Sequence, residues 1–159
     1  MHLVPKAHNS PEDNTFMALA LQEAQAAATK GEVPVGAVVV DAKGRVLAQA
    51  GNRTLELRDP TAHAELLAIR SAAEILGSER LTDCDLYVTL EPCAMCAAAI
   101  SFGRLRRVYF GAADEKMGAV ENGPRFFYQP TCHHAPEVYG GIGEGEAQTM
   151  LIEFFKSRR

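Results

Sequence analysis

The sequence predicts an α/β layered domain. Segments with strand composition alternate with segments of helical periodicity, and glycine and proline mark the breaks between them. At 159 residues, 47% of them hydrophobic, the chain is long enough for one buried core, and residues 1–159 are read as a single domain.

Ser10 is a suitable N-cap, Pro11 suits the first helical position, and Glu12 and Asp13 complement the positive end of a helix dipole, so a helix is expected over 11–29, stopped by Gly31. Residues 33–40 and 45–50 are β-rich runs, and Asp41-Ala42-Lys43-Gly44 between them has turn composition, which predicts an antiparallel hairpin. Leu66, Ile69, Ala73 and Leu76 recur at helical spacing; with Asp59-Pro60-Thr61 before them and Gly77 after, they predict a helix over 61–76, with His63 in its first turn. A short strand over 86–90 is broken by Glu91-Pro92, and the alanine-rich stretch 93–102 is expected to be helical up to Gly103. A further strand is expected over 108–110, irregular chain over 111–145, and a final amphipathic helix over 146–156.

The first residues hold no apolar stretch of signal-peptide length, and no run approaches the ~20 apolar residues of a membrane span, so a soluble cytoplasmic protein is expected. The net charge of −4 argues against a surface coated in cations for nucleic acid. Two local basic clusters, Arg104/Arg106/Arg107 and Lys156/Arg158/Arg159, fit either solvated helix ends or contacts to a polyanion.

Four cysteines in a cytosolic chain suggest ligands or redox groups rather than disulfides. Cys93 and Cys96, three apart at a helix start, share one face, and the exposed N–H groups there favour thiolates. With His63 they form a Cys₂His set, a known catalytic zinc combination that leaves a fourth position for water. Two thiolates cancel the charge of Zn²⁺, so the metal acidifies its water weakly and a base is needed nearby. Glu65, two residues from His63 and on another side of the helix, is the candidate base. Alone, a Cys-x-x-Cys is as readily a redox pair or half a structural zinc knuckle. The order His-x-Glu, then Pro-Cys-x-x-Cys, matches the signature of zinc base deaminases. Cys84 is read as a small core residue, and Cys132-His133-His134 as a weak metal candidate, because adjacent side chains point apart.

From about Phe16 onward the chain resembles the bacterial tRNA adenosine deaminase (TadA) family. The match is carried by Glu32-Val33-Pro34-Val35-Gly36-Ala37, Asn52-Arg53, Asp59-Pro60-Thr61-Ala62-His63-Ala64-Glu65, Tyr87-Val88-Thr89-Leu90-Glu91-Pro92-Cys93-Ala94-Met95-Cys96 and Phe110-Gly111-Ala112-Ala113-Asp114. The resemblance implies a cytidine deaminase-like three-layer α/β/α sandwich around a central mixed five-stranded sheet. It implies one zinc ion per subunit on His63, Cys93 and Cys96, proton shuttling by Glu65, and a base held by Asn52 and the Ala64 backbone with Val33 against its face. It further implies a homodimer without organic cofactor, acting on the wobble adenosine of a tRNA anticodon stem-loop, with Asp114, Lys116, His134, Phe155 and Arg159 on the RNA. The chain departs from the family over 119–136, where an aromatic and basic stretch, Gly123-Pro124-Arg125-Phe126-Phe127-Tyr128, precedes Cys132-His133-His134 and His133 replaces an Asn.

Three readings follow: hydrolytic deamination of adenosine in tRNA; the same chemistry on a free base or nucleoside; and a non-catalytic zinc-stabilised RNA-binding protein, which would need a fourth protein ligand such as Cys84.

Overall fold

A computed structural model describes residues 10–158. Helix α1 spans Pro11–Thr29, and the Ser10 hydroxyl caps it by accepting the N–H of Asp13 at 3.1 Å. Strands β1 (Gly36–Val40) and β2 (Val46–Gly51) form the expected hairpin. Its turn is closed by Asp41, whose Oδ1 accepts the N–H groups of Lys43 and Arg45, while Gly44 adopts the left-handed φ of 81°. Helix α2 (Ala64–Leu76), β3 (Asp85–Leu90), α3 (Ala94–Gly103), β4 (Arg107–Ala112), β5 (Glu137–Tyr139) and α4 (Glu144–Lys156) follow, with a short 3₁₀ turn at Phe126–Tyr128.

The strands lie in the order β2-β1-β3-β4-β5. β1 is antiparallel to β2 and β3, whereas β3, β4 and β5 run parallel, which makes the sheet mixed and five-stranded. Alternation along β1 divides the core. Ala37 and Val39 pack with Ala64, Ala68, Ala97 and Ile100 beneath α2 and α3, while Val38 and Val40 pack with Met17, Ala20, Leu21 and Ala147 beneath α1 and α4. The result is the expected three-layer α/β/α sandwich. Close approach of α1 requires Gly36, where an added Cβ would lie 1.9 Å from the carbonyl oxygen of Ala20.

Four expectations are corrected. Helix α2 begins at Ala64, not residue 61, so His63 is its N-cap, with φ −73° and ψ 152°. The reason is local: Asp59 Oδ1 captures both the N–H and the hydroxyl of Thr61, at 2.8 and 2.7 Å, and holds 59–61 as a turn. Helix α3 keeps Gly103 as its last residue and ends on Arg104, a non-glycine in the left-handed region at φ 56°. The stretch 111–145 is not wholly irregular: β4 continues to Ala112, and β5 pairs with it through Val108–Val138 and Tyr109–Tyr139. Three residues are too few for β5 to show a period. Finally, α4 starts at Glu144, two residues early, capped by Gly143 in the left-handed region. Among the described residues no helix is long and apolar enough to cross a membrane.

Candidate active site

The α2 and α3 N-termini point into the same place from one layer of the sandwich. His63 caps α2 and Cys93 caps α3, so each ligand sits where its helix begins, and Cys96 follows one turn into α3. His63 Nδ1 lies 3.6 Å from Cys93 Sγ and 3.5 Å from Cys96 Sγ. Zinc bonds of ~2.3 Å to sulfur and ~2.0–2.1 Å to nitrogen at a tetrahedral angle require a sulfur-to-nitrogen separation of about 3.5 Å. The three residues are therefore positioned to bind one metal ion.

The protonation pattern agrees. Cys93 is held down to about 4, first by a hydrogen bond from Cys96 and also by His63, while that same contact and burial push Cys96 well above the usual thiol range. Hydrogen bonding to Cys93 raises His63. Two sulfurs and an imidazole nitrogen within hydrogen-bond distance of one another are a donor set that a divalent cation can hold together, with loss of the thiol protons. Cys84 lies apart from this set, 2% exposed in the core, as read from the sequence. Cys132 donates its thiol to the carbonyl of His134 at 3.1 Å.

Glu65, the second residue of α2, is 4% exposed. Burial pushes its carboxyl up to about 7, against the lowering effects of its own backbone N–H and His63. A carboxyl group that titrates near neutrality can both take and return a proton.

These groups open on a cavity of about 330 Å³ lined by Val33, Val35, Asn52, Thr54, His63, Glu65, Leu90, Glu91, Cys93, Asp114 and Met117. Of the residues singled out in the sequence, the fold thus gathers Val33, Asn52, His63, Glu65, Cys93 and Asp114 around one space, with Cys96 behind His63 and Ala64 fully buried beside it. Asn52 is 6% exposed, its N–H donating to the Val35 carbonyl at 3.0 Å and its amide to Thr54 Oγ1 at 3.4 Å.

Lys116, His134 and Phe155 are not among the walls. Lys116 is exposed on the turn that Asp114 closes by accepting the N–H groups of Lys116 and Met117. His134 is half-buried, with Nε2 2.7 Å from the carbonyl oxygen of Leu105. Phe155 is 48% exposed on α4, edge to face with the buried Phe154. Arg159 lies outside the described residues. The basic cluster at 104–107 is partly structural: Arg106 makes a two-pronged contact to Asp85, at 3.0 and 2.8 Å, and Arg107 lies 3.6 Å from Glu137. In the second cluster, Arg158 covers the Phe154 ring at 3.7 Å.

Sequence reasoning missed Val35, Thr54, Leu90, Glu91 and Met117 as walls, and missed Glu32. Glu32 is 1% exposed and accepts the N–H groups of Leu55 and Glu56 at 3.1 and 2.8 Å, bracing the loop that carries Asn52 and Thr54. The available signal was a charged residue beside an apolar run, since a carboxylate is buried only when something in the fold satisfies it.

Comparison with known proteins agrees with this geometry. The sequence profile of the cytidine and deoxycytidylate deaminase zinc-binding region matches residues 10–112. A tRNA-specific adenosine deaminase of Agrobacterium fabrum is 62% identical over 148 residues, spanning 93% of this chain and 97% of that protein. A solved structure from work on A-to-I editing by tRNA:A34 deaminases at the wobble position of transfer RNA superposes with a TM-score of 0.85 at 64% identity, covering 86% of this chain and 99% of the other. A guanine deaminase from Bacillus subtilis superposes with a TM-score of 0.60 at 34% identity, covering 75% of this chain and 85% of its own. The chain belongs to the tRNA-specific adenosine deaminase branch of the cytidine and deoxycytidylate deaminase zinc-binding family.

Proposed function

We propose that the chain catalyses hydrolytic deamination of adenosine to inosine at the wobble position of tRNA anticodons, releasing ammonia. The carrying observation is the triangle of His63, Cys93 and Cys96 beside the buried carboxyl of Glu65 in one base-sized cavity. Zinc, when bound, supplies Lewis-acid activation of the attacking water. Glu65 takes one proton from this water as its oxygen bonds to C6 and gives it to the ring nitrogen; it then takes the proton left on the C6 hydroxyl and gives it to the amine, which leaves as ammonia as the C–N bond breaks and the C6 carbonyl forms. The Asn52 amide and the N–H of Ala64 orient the base, and Val33 packs against its face. Because the purine must enter a walled space, the nucleotide is turned out of its stack, which an unpaired anticodon loop permits at low cost.

Exposed Lys116 and Phe155, with Asp114, His134 and Arg159, are assigned to the flanking nucleotides. The polynucleotide substrate is supported by the 62% identity to a tRNA-specific enzyme over nearly its whole length. A homodimer working in the cytoplasm fits the same reading.

The second reading, deamination of a free base such as guanine, draws on the similarity to the Bacillus subtilis enzyme. One experiment separates the two. Zinc-loaded protein is incubated with anticodon stem-loops and, separately, with free bases and nucleosides, and products are read by mass. Inosine formed in the stem-loop at a rate far above any free-base turnover supports the proposal; the reverse ranking refutes it.

A further inference from the structure

Glu91 follows the last residue of β3 and stands two residues before the ligand Cys93, yet it is only 2% exposed and no cation pairs with it among the described residues. Its charge is met by amide donors alone. Oε1 accepts the N–H of Asp114 at 3.0 Å and the side-chain amide of Asn122 at 2.7 Å. Oε2 accepts the N–H groups of Val120, Glu121 and Asn122 at 3.0, 2.8 and 3.0 Å. The chain over 114–122 is thereby wrapped around one carboxylate.

That wrapped segment is a wall of the pocket, through Asp114 and Met117. It also touches the metal-binding turn directly: the N–H of Ala119 donates to the carbonyl of Pro92 at 2.9 Å, and Gly118 pairs with Cys93 as an isolated β-bridge. The approach leaves no room for a side chain, because a Cβ on Gly118 would lie 2.3 Å from the carbonyl oxygen of Asp114, 2.5 Å from Glu91 Cδ and 2.7 Å from its Oε2. Asp114 organises its own turn locally. What Glu91 adds is the placement of that turn relative to Cys93.

We propose that Glu91 is a positioning residue that fixes the 114–122 wall of the pocket relative to the metal ligands, and so sets how tightly the substrate base is gripped. Glu91 borders the pocket itself, but both of its carboxylate oxygens are taken up by the amides of 114–122, so it acts by placing Asp114 and Met117. The inference rests on the deaminase reading of this pocket, but not on which nucleotides flank the base.

The test compares zinc-loaded wild type with Glu91→Gln, Asn122→Ala and Gly118→Ala on an adenosine-containing anticodon stem-loop. Measured are kcat, KM, zinc per chain and amide hydrogen exchange. Glutamine keeps the shape of Glu91 but turns an NH₂ group toward N–H donors. The expected result is faster exchange at Val120, Glu121 and Asn122, KM raised about tenfold with kcat changed much less, and one zinc retained per chain. Asn122→Ala removes a single donor and moves KM in the same direction by less; if Glu91→Gln fails to fold, this variant and Gly118→Ala decide. Wild-type KM in the variants, or a loss confined to kcat or zinc content, overturns the inference. Absence of wild-type turnover on the stem-loop is a separate failure, of the proposed function, and the exchange measurement still reports whether Glu91 holds the wall.

Discussion

Tyr87 and Tyr109 stack ring on ring across the centre of the sheet, with centroids 4.4 Å apart and planes 4° from parallel, because they occupy paired positions on β3 and β4. Tyr139 on β5 extends the stack at 5.0 Å, and all three are buried. Burial raises each phenol above its usual range; Tyr87 is also raised by donating to Asp13, and Tyr139 is pushed up to about 12 with help from its hydrogen bond to Glu137. A group whose folded pKa lies above its unfolded value of about 10 contributes stability that is complete below pH ~10 and is lost as pH climbs through the folded value. Stability should therefore fall between pH 10 and about 12, with phenolate absorbance at 295 nm, read in a Tyr128→Phe protein so that only the three stacked rings report, rising together with loss of circular dichroism. Ionisation of these tyrosines well before unfolding would contradict the account.

Replacing Glu65 by Gln removes the group proposed to carry the proton while leaving the metal ligands unchanged. Turnover should drop by about 10³-fold, within the range for general acid–base groups, with zinc stoichiometry unchanged. Since burial disfavours the ionised carboxyl, thermal stability at pH 8 should not decrease. Elemental analysis and single-turnover rates check both halves. A variant that kept near wild-type turnover would remove Glu65 from the mechanism.

Cys96→Ser should cost zinc as well as activity, because Cys96 Sγ is one of the atoms that define the 3.5 Å geometry with His63. Chelation of the wild type should lower its melting temperature and abolish turnover, and added zinc should restore both. Full activity in protein proven metal-free would refute the assignment.

At Gly36 the constraint is steric and not conformational. Gly36→Ala drives a Cβ into the carbonyl oxygen of Ala20, so α1 must lift from the sheet, at a cost of about 3 kcal/mol. Denaturant midpoints of the zinc-loaded proteins measure it. Gly44→Ala meets no atom within 4 Å and should cost less, limited to the strain of its φ of 81°.

Lys116→Ala tests the flanking-nucleotide assignment. If Lys116 meets one phosphate, KM for a stem-loop should rise and the slope of log affinity against log salt should shrink by about 0.7–1. An unchanged slope would place Lys116 off the RNA.

The sequence by itself determined the donor set, the helices that present it and the general α/β alternation, because these are local facts. Helical periodicity, the cap at Ser10 and the stop at Gly77 are each written within a few residues of where they act. The chemistry of His63, Glu65, Cys93 and Cys96 follows from residue type and spacing. Residue identity alone could not give the 3.5–3.6 Å meeting of His63 with Cys93 and Cys96, which depends on two helices starting at neighbouring points in space. Nor could it give β5, whose three residues become a strand only by pairing with β4. The pocket walls were hidden most completely. Glu32 and Glu91 hold their loops mostly through backbone N–H groups, which every residue but proline carries, so most partners of these carboxylates leave no mark in the sequence and are decided by the tertiary fold.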